Sequence, residues 1–207
     1  MSKKKTAEEL MRELKRDTSF EAREVERELS REKLEADLSV AESELVADLR
    51  LVGMEVNSVW DLLKLGGGYG AAVDVLLSHA KRSYPDRIRE GILRALATPD
   101  SICRWNELLG IYEHNSLGLP PSLDYLSGLA LSAAADDGVI DDVIRLAKDE
   151  SRGADRIPLL LALQRSKSSK ARMLLNELRD DPVLGSEVKR MRRVSRSLKR
   201  IPPVPGL

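Results

Sequence analysis

Residues 70–97, GAAVDVLLSHAKRSYPDRIREGILRALA, and residues 138–164, GVIDDVIRLAKDESRGADRIPLLLALQ, are two versions of one pattern. Gly70 falls on Gly138, Val75 on Val143 and Leu76 on Ile144, each 68 residues apart. After one inserted residue, Asp86-Arg87-Ile88 meets Asp155-Arg156-Ile157. The later LLNEL at 174–178 lies 31 residues beyond VIRLA at 143–147. A separation of 68 or 69 is two units of about 34 residues, and the stretch 99–135 supplies the unit between. Helical hairpins repeated at this length bury a continuous core only by stacking on their neighbours.

Turn and cap signals divide the chain into paired helices. Gly66-Gly67-Gly68 follows a short helix near 58–65, and helices near 70–82 and 85–98 are joined by Ser83-Tyr84-Pro85. Further pairs are predicted at 99–113 with 121–135, at 138–149 with 154–165, and at 168–180 with 182–199. Pro85 and Pro99 suit a first helical turn, where the missing N–H had no partner. Asp181 followed by Pro182 has the form of an N-cap and first helical residue.

Aromatic residues are 3% of the chain, so a core must consist of Leu, Ile, Val and Ala, which helix-on-helix packing accepts and a strand sandwich does not. Residues 1–57 read as a charged helical region. Thr6 with Glu9 and Thr18 with Glu21 have capping-box spacing, and Leu10 and Leu14 mark a sparse stripe. Leu34, Leu38, Ala41, Leu45, Leu49 and Val52 recur at three and four, giving one apolar face. That region could pack on the body, pair with a second copy or bind a partner. Residues 202–207, with Pro202, Pro203 and Pro205, are expected to be a disordered end, leaving 58–201 as the repeat domain.

Asp86 with Arg89, and Asp155 with Arg156, resemble the acidic turn residue and basic helix residue of the HEAT-like repeats, and the resemblance covers residues 58–199. It departs where Asp181 has no basic residue before Lys189 and where Pro158 sits near the expected base. The resemblance implies an all-α fold, a right-handed stack of antiparallel helical hairpins forming an α-solenoid. It also implies a scaffold, adaptor or inhibitor, since such proteins are mostly of these kinds.

Formal charge is zero, yet it is unevenly placed. Glu113, Asp124, Asp136, Asp137, Asp141 and Asp142 occupy 113–142 without a Lys or Arg, whereas 165–200 holds twelve basic residues against four acids. Such a dipole steers partners. Asp136, Asp137, Asp141 and Asp142 read as helix capping, as an acidic contact patch or as a metal site, although the spacing is not that of a calcium loop. In KRMRRVSRSLKR at 189–200, helical spacing puts Val188, Met191, Val194 and Leu198 on one side and Lys189, Arg193, Arg196 and Arg200 on the other, with Arg190 beside them. That tail reads as a solvated helix, an acidic-protein contact or a phosphate contact. Arg82, Arg87, Arg89, Arg94 and Arg104, with Arg156 and Arg165, are candidates to line successive second helices, Arg offering a fork for carboxylates or phosphates. Trp60, Tyr69, Tyr84, Trp105, Tyr112 and Tyr125 are the aromatic anchor candidates, with Trp105 counted among the contact residues.

Several chemistries find no support in the residues. GGGYG at 66–70 could hold an anion at a helix start, but it lacks the Lys and Ser or Thr of a phosphate loop and reads as a connector. His79 and His114 have no suitably spaced ligand; His79 is expected on a helix surface or groove. Cys103 is the one cysteine, so no internal disulfide or cysteine metal cluster forms, and beside Trp105 it is expected to be buried. No apolar run reaches 18 residues, and no signal-like segment follows Lys3-Lys4-Lys5. The expectation is therefore a cytoplasmic, non-enzymatic, cofactor-free protein-binding scaffold without membrane contact, with dimerisation through residues 1–57 an option. The alternative is a nucleic-acid-binding repeat protein using the Arg-rich faces and the basic tail.

Overall fold

The computed structural model describes residues 6–8 and 18–198. Among the described residues every regular element is helical and no strand occurs. They form two units, divided between Ser43 and Glu44. Glu9, Leu10 and Leu14, the side chains of Arg193 and Arg196, Arg200, and the Pro-rich end lie outside what is described.

In the first unit, α1 (Thr18–Ala41) is a helix of 24 residues on which Val25, Leu29, Leu34 and Val40 are all exposed. Arg31 pairs with Glu28 and lies 3.8 Å from Glu35, i,i+3 and i,i+4 contacts that support a helix in water. The single apolar face expected over 34–52 is divided, because the helix breaks at Glu42 and α2 (Ser43–Leu51) starts anew. The Ser43 hydroxyl donates to the Val40 carbonyl at 2.8 Å, a local bond that competes with the helical ladder. The division at 43/44 places Leu45, Leu49 and Val56, all buried, in the larger unit, ahead of the boundary drawn at 57/58.

The larger unit opens with a 3₁₀ segment, Val59–Lys64, capped reciprocally by Ser58 and Asp61. Then follow α3 (Val73–Ala80), α4 (Asp86–Ala95), α5 (Trp105–His114), α6 (Pro121–Ala134), α7 (Ile140–Lys148), α8 (Leu159–Arg165), α9 (Ser169–Glu177) and α10 (Gly185–Leu198). Short 3₁₀ segments at Gly70–Ala72, Pro99–Arg104, Glu150–Arg156 and Leu178–Asp180 finish the turns. Thr98 caps the second of these by accepting from the Asp100 N–H, with Pro99 at the first position, where it needs no donor.

α3 packs on α4, α5 on α6 and α7 on α8, while α4 also packs on α6 and α6 on α8. Across these three pairs the second helix of one therefore lies beside the second helix of the next. α9 packs on both α7 and α8, and α10 packs on Leu178–Asp180. The core is aliphatic: Leu76, Ile88, Ile92, Leu93, Leu96, Leu108, Leu131, Leu146, Leu159, Leu160 and Leu163 are fully buried. Each is worth about 1.5–3 kcal/mol of transfer free energy. Gly91 sets the approach of α4 to the Val59–Lys64 segment, since a Cβ there would lie 2.6 Å from Val59 Cγ1 and 3.0 Å from Trp60 Nε1.

Candidate functional site

The first helices are joined across successive pairs by their charges. Arg104, just before α5, grips Asp74 of α3 through two parallel bonds of 2.6 and 2.7 Å. Arg145 of α7 donates to Glu113 of α5 at 2.6 Å, and Lys170 of α9 sits 2.9 Å from both oxygens of Asp141 on α7. Lys148 stands 3.8 Å from Glu177. The bond from Arg104 holds the Asp74 carboxyl below its usual pKa.

That ladder accounts for much of the acidic cluster. Asp141 belongs to it, and Asp142 accepts the Trp105 indole N–H at 3.1 Å while lying 3.7 Å from Arg145. Asp136 accepts from the Gly138 N–H at 2.8 Å. Asp137 accepts from the Ser166 hydroxyl at 2.5 Å and the Lys167 N–H at 3.2 Å, closing the α8–α9 loop. Trp105 is buried, its indole spent on Asp142.

The second helices present a different surface. α6 packs against both α4 and α8. α4 offers Arg87 and Arg94, bonded to opposite oxygens of Glu90 at 3.4 and 2.9 Å. The Arg87 guanidinium lies 3.9 Å from the Trp60 ring centroid. α6 offers Tyr125, 45% exposed, and α8 offers Leu161, 46% exposed. Among the six aromatic anchor candidates, Tyr125 is the exposed one. Arg165 closes the edge by donating to the Ser132 and Ala135 carbonyls at 2.8 Å, capping the end of α6.

Two further arginines are committed to the fold. Arg89 donates to the carbonyls of Leu117 and Gly118 at 3.0 and 3.3 Å, pinning the α5–α6 loop. Arg156 is 1% exposed, which removes it from any surface. It donates to the Ala147 and Gly153 carbonyls and to Asp181, each within 3.1 Å. His79 is fully buried rather than on a surface or groove, its Nε2 2.8 Å from Asp48 and its Nδ1 2.7 Å from the Tyr84 hydroxyl. Cys103, expected inside, is exposed, its thiol 3.3 Å from the Asp100 carbonyl.

At the C-terminal end, Lys189 lies 4.0 Å from Asp180 and Arg190 pairs with Glu187, both bases exposed on α10. Arg193 and Arg196 occupy positions on the same helix. A cleft of about 380 Å³ runs between the ends of α6 and α8, lined by Ile102, Asp136, Asp137, Arg165 and Lys167 among others. Its carboxylates and its arginine are those already bonded to turns and carbonyls. Among the described residues no three His, Cys, Asp or Glu side chains are grouped to hold a metal ion. Nor is any described helix long and apolar enough to cross a membrane. No family model matches the chain, and no curated protein or solved structure shows significant similarity to it.

Proposed function

We propose that this chain is a protein-binding scaffold or adaptor whose helical pairs stack as a right-handed, HEAT-like α-solenoid. The binding surface is the shared outer side of α4, α6 and α8. One observation carries the reading: the two sides of the helical pairs are used differently. Charges along the first helices are paired between neighbours, which couples the pairs and neutralises that side. The second helices expose an aromatic and a leucine, Tyr125 on α6 and Leu161 on α8, and two arginines, Arg87 and Arg94, that share Glu90 on α4. Apolar and aromatic centres rimmed by arginine are the composition of protein interfaces.

α1, with its exposed Val25, Leu29, Leu34 and Val40, supplies a second contact or a dimer helix. The side-by-side packing of second helices supports the solenoid. A test compares the unmodified protein with a Tyr125→Ala, Leu161→Ala variant of unchanged circular dichroism in affinity capture from the native host. The reading expects a stoichiometric protein complex that the variant loses. A monomer without partners, or a complex indifferent to the two substitutions, rejects this surface.

A further inference from the structure

The geometry of α10 points to a sequence-independent binding site for the phosphate backbone of a nucleic-acid duplex, separate from the proposed protein-binding side. Between residues 188 and 200 the chain carries Lys189, Arg190, Arg192, Arg193, Arg196, Lys199 and Arg200 and no acid. α10 packs on the 3₁₀ segment Leu178–Asp180, and Gly185 makes the approach possible, since a Cβ there would lie 2.5 Å from the Arg179 carbonyl oxygen. Val188 is buried, as is Leu184 just before the helix, which fixes the rotation of the helix. Lys189, one residue on, has a half-exposed side chain, at 50%. Helical register then places positions 192, 193 and 196 on the arc of Lys189, at the i+3, i+4 and i+7 spacings that share a face.

That arc runs about 10 Å at 1.5 Å per residue. A duplex strand presents a phosphate about every 3.4 Å of axis, so the arc spans about three of them. Arginine predominates on it, and its planar fork matches phosphate oxygens. The chemistry favours phosphate over an acidic protein. No Phe, Trp or Tyr occurs after Tyr125, so the arc has no aromatic anchor of the kind that protein hot spots use. The same lack removes base stacking, which leaves the backbone as what is recognised.

Fluorescence anisotropy with a mixed-sequence duplex of about 20 base pairs, as DNA and as RNA, tests the proposal across a salt series. Binding near 50 mM salt should weaken with a log–log slope of at least about 3, because each neutralised phosphate contributes about 0.9. The triple variant Arg192→Ala, Arg193→Ala, Arg196→Ala should lose affinity by at least about tenfold and about 3 from that slope. The corresponding triple lysine variant should keep both, and Lys167→Ala, Arg172→Ala, Arg179→Ala, with the same charge change, should alter affinity less than about twofold. Absence of duplex binding by the unmodified protein overturns the site, as does equal loss in the control. Tighter binding to polyglutamate, or to phosphatidylserine vesicles, than to duplex overturns it in favour of an acidic protein or a membrane.

Discussion

Arg156 and Asp181, 25 residues apart, form an ion pair at 3.0 Å whose side chains are 2% and 7% exposed. The pair ties the segment after α7 to the turn that precedes the last helix, α10. The Asp181 carboxylate is also held by the N–H groups of Val183 and Leu184, each at 2.8 Å. The guanidinium is satisfied by two carbonyls besides. A charge pair removed from water is tolerated when its remaining bonding capacity is met in this way.

Arg156→Ala should cost about 3–5 kcal/mol, because it leaves Asp181 buried without its counter-charge. Asp181→Asn added to that variant should recover part of the loss by removing the stranded charge. Urea denaturation of the two variants measures both steps. A cost as small as that of an exposed pair, under about 1 kcal/mol, would mean that water reaches the carboxylate.

The same carboxylate sets an acid limb. Burial pushes the Asp181 pKa up, but the Leu184 and Val183 N–H groups and Arg156 together hold it below its ordinary value. A folded-state pKa depressed below the unfolded one gives stability that is complete above about pH 4. It is lost as pH falls through the folded value, because the unfolded chain then binds the proton first. Melting temperature followed from pH 6 downward should therefore fall more steeply in the unmodified protein than in Asp181→Asn. Parallel curves would show that Asp181 makes no differential contribution.

The helical pairs were legible because Leu, Ile, Val and Ala recur at helical spacing between glycine and proline breaks. Observed elements such as Asp86–Ala95, Pro121–Ala134 and Ile140–Lys148 lie within the predicted ranges. The environment of a matched residue was not legible. Asp86-Arg87-Ile88 and Asp155-Arg156-Ile157 align, yet Arg87 stacks exposed on Trp60 and Arg156 is buried. The difference lies in the segment Glu150–Arg156, where Gly153 at φ 50° turns the chain inside a 3₁₀ stretch that the first pair lacks. Cys103 points outward for a related reason: Ser101 and Trp105 take the buried positions on either side of it. His79 is inside because Asp48, 31 residues away, meets one ring nitrogen, a partnership no local pattern encodes.

Gly91→Ala should destabilise the protein by about 1–3 kcal/mol, since the new methyl group meets Val59 and the Trp60 ring at contact distances that packed cores do not absorb. Intrinsic helix propensity works the other way, favouring Ala over Gly by about 1 kcal/mol. A loss in chemical denaturation thus reports the close approach of α4 to the Val59–Lys64 segment. A gain would show that the segment moves aside.

The ion pairs between first helices carry a prediction about cooperativity rather than about total stability. Each of Arg104–Asp74, Arg145–Glu113 and Lys170–Asp141 crosses from one helical pair to the next, and all but Glu113, at 19%, are exposed. Exposed pairs contribute little singly and are screened by salt. In the proposed stack, however, the terms between neighbours decide whether the array unfolds as one. The triple variant Asp74→Asn, Glu113→Gln, Asp141→Asn should therefore show a lower denaturant slope at low ionic strength, as the transition spreads over partly unfolded arrays. Unfolding followed by tryptophan fluorescence reports Trp60 and Trp105, both N-terminal to α6, whereas circular dichroism reports the whole chain. The two transitions should coincide in the unmodified protein and separate in the variant. Raising salt to about 1 M should push the unmodified protein toward the variant's behaviour, because at that ionic strength the screening length falls to about 3 Å. Coincident transitions in both proteins, at every salt, would mean that the aliphatic contacts of α4, α6 and α8 alone make the body cooperative.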